Sequence, residues 1–334
     1  MKTPQVSRPM LLSLVAALGL AWAPGCKQED DDKDEGNTTN SAWLVGEQGA
    51  MFRLDDEGDV ETYPLRTDVG LSAIICHGSA TAWVVGDDGT VMVTRDEGVS
   101  WTTIVVDAQG SDLTAVAAAD AHAEGLETVF AVGSRGAVLR SVDGGANFSR
   151  LSGADGVDFT GVGIDAAGAT ALATGIDGSI WRSTDGGPLA QVFAQPGEVL
   201  HAITGLHSDG GVTAVGDDGL IVVSSDGGTT WTTTLVPTTR DLFAVRTVGD
   251  NETVAVGEAG VVVKLGQNGV TAEEFLDPAL ALHGLHLGAG GTGQTVGDAG
   301  VVLLTNDLGL TWTPVELGHD VPLRGVDDFR THHH

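Results

Sequence analysis

From residue 41 onward the chain is written in short apolar runs separated by turn residues. A Val-Gly step, once Thr-Gly, closes an apolar run at Gly46, Gly86, Gly133, Gly175, Gly216, Gly257 and Gly297, at intervals of 40 to 47 residues. Two residues and a further glycine follow each step, and a second apolar run such as VMVT or IVVS begins at once. Two apolar runs joined by a tight glycine turn predict a hairpin. Upstream of each hairpin lies a run of the form Leu-x-Ala/Gly-Val, and downstream a short run opened by Trp or an equivalent. Each repeat therefore predicts four strands, and no stretch after residue 30 carries helical periodicity. A period of this length built from strands predicts propeller blades, where a helical solenoid would need helix-length amphipathic segments. The expected fold is all-β: a seven-bladed β-propeller with four-stranded blades.

The first repeat starts in its second strand, at Ser41-Ala42-Trp43. Its missing first strand reappears as Leu323-Arg324-Gly325-Val326, which matches Leu71-Ser72-Ala73-Ile74 and Leu242-Phe243-Ala244-Val245. The C-terminal strand is thus expected to complete the first blade and close the ring, which removes two sheet edges.

A fuller motif marks the turn between the third and fourth strands. It runs from Thr94 through Asp96 and Gly98 to Trp101, from Ser224 through Asp226 and Gly228 to Trp231, and from Thr305 through Asp307 and Gly309 to Trp312. Partial copies carry Asp143 with Phe148, and Asp185; the repeats near Arg53 and Lys264 have lost it. A short carboxylate there accepts hydrogen bonds from the N–H groups of its own turn, and the aromatic ring packs between neighbouring sheets. These residues read as structural.

The motif resembles the Asp box, or BNR repeat, and its combination with the Val-Gly hairpin is similar to the photosystem II assembly factor-like propellers of bacteria. The resemblance covers residues 41–330. It implies a protein-binding scaffold that serves membrane-protein maturation. The same repeat recurs in sialidases and xyloglucan hydrolases, so a carbohydrate-binding or glycoside-hydrolysing propeller is the alternative. Sialidase chemistry in that family needs a Tyr nucleophile, a Glu, an Asp and three Arg. This chain has one tyrosine, Tyr63, and its Arg53, Arg95, Arg140 and Arg182 fall mostly at third-strand positions. A two-carboxylate glycosidase depends on a separation that spacing does not give. The expectation is a non-enzyme with no cofactor and no metal.

Charge narrows the partners. A formal charge of −30 argues against nucleic acid and is compatible with a basic protein partner. The N-terminus adds an address: Lys2 and Arg8 precede an apolar run from Met10 to Trp22, the layout of a secretory signal. The run ends in Ala23-Pro24-Gly25-Cys26, which resembles the bacterial lipobox; the resemblance implies cleavage over 1–25 and acylation of Cys26, so that the chain is held at a membrane. Lys27 follows where inner-membrane lipoproteins often carry Asp, so this resembles an outer-membrane lipoprotein of the cell envelope. Ordinary cleavage nearby, leaving a soluble protein, is the alternative. Residues 26–40 are acidic and polar and read as a disordered tether, residues 41–330 as the propeller, and 331–334 as a tail. The second cysteine, Cys76, sits in an apolar run and reads as a buried free thiol. A monomer is expected.

Two sets of residues are candidate binding positions. The turns after the Val-Gly steps belong on one face of the ring, and carry Glu47, Asp87, Asp88, Asp177, Asp217, Asp218, Glu258 and Asp298: an acidic rim suited to a basic partner or cation. Asp also suits tight turns for purely local reasons. The residue after the leading Leu of the first strand is Ser72, Thr114, Thr160, His201, Phe243, His283 or Arg324. If that position faces the channel, His201, His283 and Arg324 can meet a ligand.

Overall fold

The computed structural model describes residues 41–329 except 56, 66–67, 120–126, 237, 249–251, 267–268 and 289. The signal segment, Cys26, the tether and the tail at 331–334 lie outside the described residues. The chain forms seven four-stranded antiparallel sheets. Blade 1 comprises Ala42–Gly46, Met51–Leu54, Val60–Thr62 and, from the far end of the chain, Leu323–Asp328. Blades 2 to 7 follow in chain order, and their first strands begin at Leu71, Leu113, Phe159, Leu200, Leu242 and Leu282. Each first strand contacts those of both flanking blades, and Leu323–Asp328 meets Leu71–His77, so the ring closes. The expected closure is present: Ala42 pairs with Asp328 and Leu44 with Val326 in an antiparallel ladder.

The strands form because their residues are small or β-branched and are buried from both sides. Ala42–Gly46, Thr128–Gly133 and Thr170–Gly175 are buried along their whole length, as expected of a sheet packed between two others. The core is divided into layers between blades. One contains Trp43, Met51, Leu71, Ile74 and Val84, from blades 1 and 2.

The Asp turns reinforce those layers. Thr94 Oγ1 donates to Asp96 Oδ1 at 2.7 Å, and Ser100 donates its N–H at 2.9 Å and its hydroxyl at 2.6 Å to the two carboxylate oxygens. Asp226 and Asp307 repeat this with Thr230 and Thr311, and Asp143 does so with Asn147. Asp185 departs from the pattern: it takes a left-handed conformation (φ 52°), and the Ser183 hydroxyl donates to the Gly187 carbonyl instead. The aromatic residue that ends each motif lies against the preceding blade. Trp101 packs edge-on to Trp43 at 5.6 Å and Trp231 lies 6.3 Å from Phe193, while Phe148 and Trp312 join the layers around Trp83 and Val254.

These hydrogen bonds favour the ionised carboxylate and hold Asp226 and Asp307 down to about 2. A folded-state value below the unfolded one contributes stability above pH 3.8 that is lost as pH falls toward 2. We expect the Tm of the wild-type chain to fall across that window, and the Asp226→Asn/Asp307→Asn variant to start lower and fall less. Tm measured from pH 5 to pH 2 checks it; parallel curves would contradict it.

Candidate binding face at the channel mouth

The residue after the leading Leu is the extra residue of a β-bulge in every blade. Leu71 pairs with Gly86 and Ala73 with Val85, which leaves Ser72 unopposed; Thr114, Thr160, His201, Phe243, His283 and Arg324 are passed over in the same way. A bulge re-aims its side chain out of the ladder. All seven line one cavity of about 630 Å³ at the mouth of the channel, together with Glu47 and Asp87.

The ring is unequal around its circumference. Blades 2 to 4 contribute the hydroxyls Ser72, Thr114 and Thr160. The last two are turned into the wall, Thr114 donating to the Phe159 carbonyl at 2.8 Å and Thr160 to the Leu200 carbonyl at 2.5 Å. Blades 5, 6, 7 and 1 contribute a continuous arc of larger groups. His201 meets Phe243 edge-on and Phe243 stacks on His283, each at 5.1 Å. Arg324 follows.

The structure joins the two candidate sets. His201 Nε2 lies 2.7 Å from Asp217 Oδ1 and His283 Nε2 3.0 Å from Asp298 Oδ1. Arg324 reaches Glu47 at 2.5 Å and Asp298 at 3.4 Å, and Arg240 pairs with Glu258 at 3.2 Å on the surface. Four of the five acids at the first turn position are therefore matched by a histidine or arginine. Asp87 is the fifth. Burial and then the charge of Asp112, with further help from Asp88 and Glu47, raise its carboxyl above the ordinary range. Asp88 and Asp218 are exposed at the second turn position. Asp177 is tied to its own turn, accepting the Ser179 N–H at 3.2 Å and the Ser179 hydroxyl. Burial first, and Arg324 second, lower His283 below the usual imidazole range against the pull of Asp298.

A further set of carboxylates was not singled out from the sequence. The second turn residue is left-handed in most blades, at φ 55° for Asp88, 56° for Arg135 and 50° for Asp218. Its N–H is accepted by an aspartate of the next blade: Asp112 at 3.0 Å, Asp158 at 2.7 Å and Asp241 at 3.0 Å. Each stands immediately before a first strand, so the available signal was a repeated Asp-Leu or Asp-Phe dipeptide. Asp241 also completes a trio with His201 and Asp217, whose ligand atoms lie within 4.8 Å of one another. This trio could hold a divalent cation if His201 gave up its bond to Asp217.

No family model matches the chain. A 107-residue stretch is 35% identical to the photosystem II assembly lipoprotein Ycf48 of Synechococcus sp. (strain CC9902), covering 30% of each protein. Across 301 residues the chain is 23% identical to the chloroplastic photosystem II stability/assembly factor HCF136 of Oryza sativa subsp. japonica, covering 74% of this chain and 71% of that one. Among solved structures, YCF48 bound to a D1 peptide superposes with a TM-score of 0.62 at 18% identity, over 81% of this chain and 93% of that one. YCF48 from Cyanidioschyzon merolae gives 0.59 at 18% over 77% and 88%. The WD40 propeller domain of Doa1 gives 0.64 at 14% over 86% and 90%. The structural likenesses concern the fold; the sequence relatives are photosystem II assembly factors.

Proposed function

We infer, for a propeller whose sequence relatives are photosystem II assembly factors, that the chain is a non-catalytic scaffold. It grips a segment of a partner protein across the mouth of its channel. The observation that carries this reading is the bulge in every blade, which delivers the arc His201–Phe243–His283–Arg324 to one cavity framed by acids. The stacked imidazole and phenyl faces suit a flat or cationic side chain. Asp87, Asp88 and Asp218 supply negative potential beside them, which favours a basic segment. The solved complex of YCF48 with a D1 peptide supports a peptide as the type of ligand. The pairing of Glu47, Asp217 and Asp298 with Arg324, His201 and His283 supports binding over the two free carboxylates that glycoside hydrolysis uses.

The test is affinity capture from native membranes with the wild type, with Phe243→Ala/Arg324→Ala and with Asp87→Asn/Asp88→Asn/Asp218→Asn. We expect one partner retained by the wild type and weakened about tenfold or more in Kd, roughly 1.4 kcal/mol, by the first variant. The second should flatten the salt dependence of binding. A partner held equally by all three would refute the mouth as the binding face.

The second half of the reading concerns location. The proposed site of action is the cell envelope, with Cys26 acylated and the protein held at the outer membrane; the lipobox-like segment and the lipoprotein named among the relatives support it. The Cys26→Ser variant is expected in the soluble fraction, while the wild type sediments with membranes and carries lipid on its N-terminal peptide by mass spectrometry.

A further inference from the structure

Three sequence positions recur around the mouth: the bulge residue, the first turn residue, and the residue before the next blade's first strand. Their chemistry differs from blade to blade. Blade 2 offers Ser72 and Asp87, with Asp112 at the foot of blade 3: two carboxylates, but a hydroxyl in place of an imidazole. Blade 7 offers His283 and Asp298, but Pro322 stands at the third position and Arg324 lies 3.4 Å from Asp298, so a cation is already in place. Blade 5 alone combines an imidazole with two carboxylates, His201 and Asp217 with Asp241 from the foot of blade 6. Their ligand atoms all lie within 4.8 Å of one another. Arg240, the residue beside Asp241, is paired with Glu258 instead.

Backbone donors aim the two carboxylates and leave each one oxygen. Asp217 Oδ2 accepts the Val199 N–H at 3.1 Å, and Oδ1 meets His201 Nε2. Asp241 Oδ1 accepts the Asp218 N–H at 3.0 Å, which leaves Oδ2. The imidazole is itself set edge-on to Phe243 at 5.1 Å. Outer contacts of this kind fix the direction of metal ligands. Bonds of about 2.0–2.1 Å to a tetrahedral ion place its ligand atoms about 3.3 Å apart. The His201–Asp217 contact, 2.7 Å, would have to open by roughly 0.6 Å, which side-chain rotation supplies on two half-buried groups.

We propose that this trio is a site for a divalent transition-metal ion of the zinc class, held by His201 Nε2 and one oxygen each of Asp217 and Asp241. An imidazole nitrogen among the ligands favours zinc over calcium or magnesium, which prefer all-oxygen sets of higher number. Three protein ligands leave a fourth position, and His201 lines the mouth cavity from which a donor can fill it. The ion ties blade 5 to blade 6, because Asp241 stands at the start of the latter. Bulge, turn and strand foot are far apart in the chain, so no short ligand spacing announces the site.

The probe is zinc chloride, titrated calorimetrically into the full-length chain carrying Cys26→Ser, His332→Ser, His333→Ser and His334→Ser, which removes competing thiol and imidazole groups. One equivalent should bind, and the His201 ring nitrogens should shift on saturation in ¹⁵N NMR. Asp241→Asn keeps an acceptor for the Asp218 N–H and should weaken zinc about tenfold or more, as should His201→Gln. Asp112→Asn and His283→Gln, at the equivalent positions of other blades, should leave it unchanged. Zinc should raise the Tm of the parent, since it binds only the closed ring, and not that of Asp241→Asn. Absence of saturable binding would overturn the proposal, and so would equal zinc affinity in Asp241→Asn and His201→Gln, or calcium or magnesium chloride bound as tightly. Unmoved His201 nitrogens in the zinc-saturated parent would overturn it without recourse to any variant at the site. No partner protein is present in this titration, and Arg324→Ala should bind zinc as the parent does, so failure of the metal site and failure of the mouth as a binding face are read separately.

Discussion

Deleting residues 323–334 is expected to abolish the folded ring. Blade 1 would lose its innermost strand, and with it the ladder from Ala42 to Gly46 and the buried side chains of Leu323 and Val326. Blades 7 and 2 would lose the strand that packs between their own first strands. The truncated chain would expose two sheet edges, a template for aggregation, and no cooperative melt should be seen by circular dichroism. A synthetic peptide covering 319–334 should restore part of it by adding a strand to the open edge. The graded version is Leu323→Ala, fully buried in the wild type and expected to cost about 2–5 kcal/mol. A truncated chain that melts as the wild type does would show that the ring does not depend on this strand.

The second large effect is expected at Asp327. Its carboxylate is buried with His286 and Asp328 on the far side of the same closing strand. It accepts the Cys76 N–H at 2.8 Å, lies 3.4 Å from Arg246 and is in contact with His286 Nδ1. Burial pushes this acid up, but His286, Arg246 and the Cys76 N–H together pull it below the ordinary range. A depressed carboxylate contributes stability that is complete above its unfolded value and is lost on acidification below it. Asp327→Ala removes the anion, leaves Arg246 and His286 facing a hole and strips the Cys76 N–H of its acceptor. A cost of about 3–5 kcal/mol is expected for a broken buried pair. The reporter is at hand: burial, followed by Asp327 and Asp328, holds the Cys76 thiol well above its usual value, so it resists alkylation until the ring opens. Alkylation should accelerate in Asp327→Ala. The double replacement His286→Phe/Asp327→Leu should recover part of the loss, because both members of the buried pair then leave together.

The propeller was legible because its information is repeated. A Val-Gly step that returns seven times and a first strand displaced to the other end of the chain admit few other architectures, and closure followed from Leu323-Arg324-Gly325-Val326 alone. The mouth was half legible. His201, His283 and Arg324 could be placed on one ring from their common position after Leu. That this position is a bulge, and that each of these side chains answers an acid of the rim, depends on register, which a run of residues does not show. The Asp327 network was invisible for a different reason: Cys76, Arg246, His286 and Asp327 come from four blades, and each looks ordinary in its own repeat.

Ala42 and Asp328 are partners on adjacent strands, and this makes the position of the chain's opening largely arbitrary. A short linker could weld the end of the closing strand to the start of its neighbour, and a new opening could be cut at an exposed turn such as Gly197, where a side chain would meet nothing within 4 Å. Such a permuted molecule would keep every sheet but carry its free end, and whatever is attached there, at the opposite side of the toroid. The present arrangement therefore fixes on which blade the first described strand lies, while the wheel would turn equally well with that start on another.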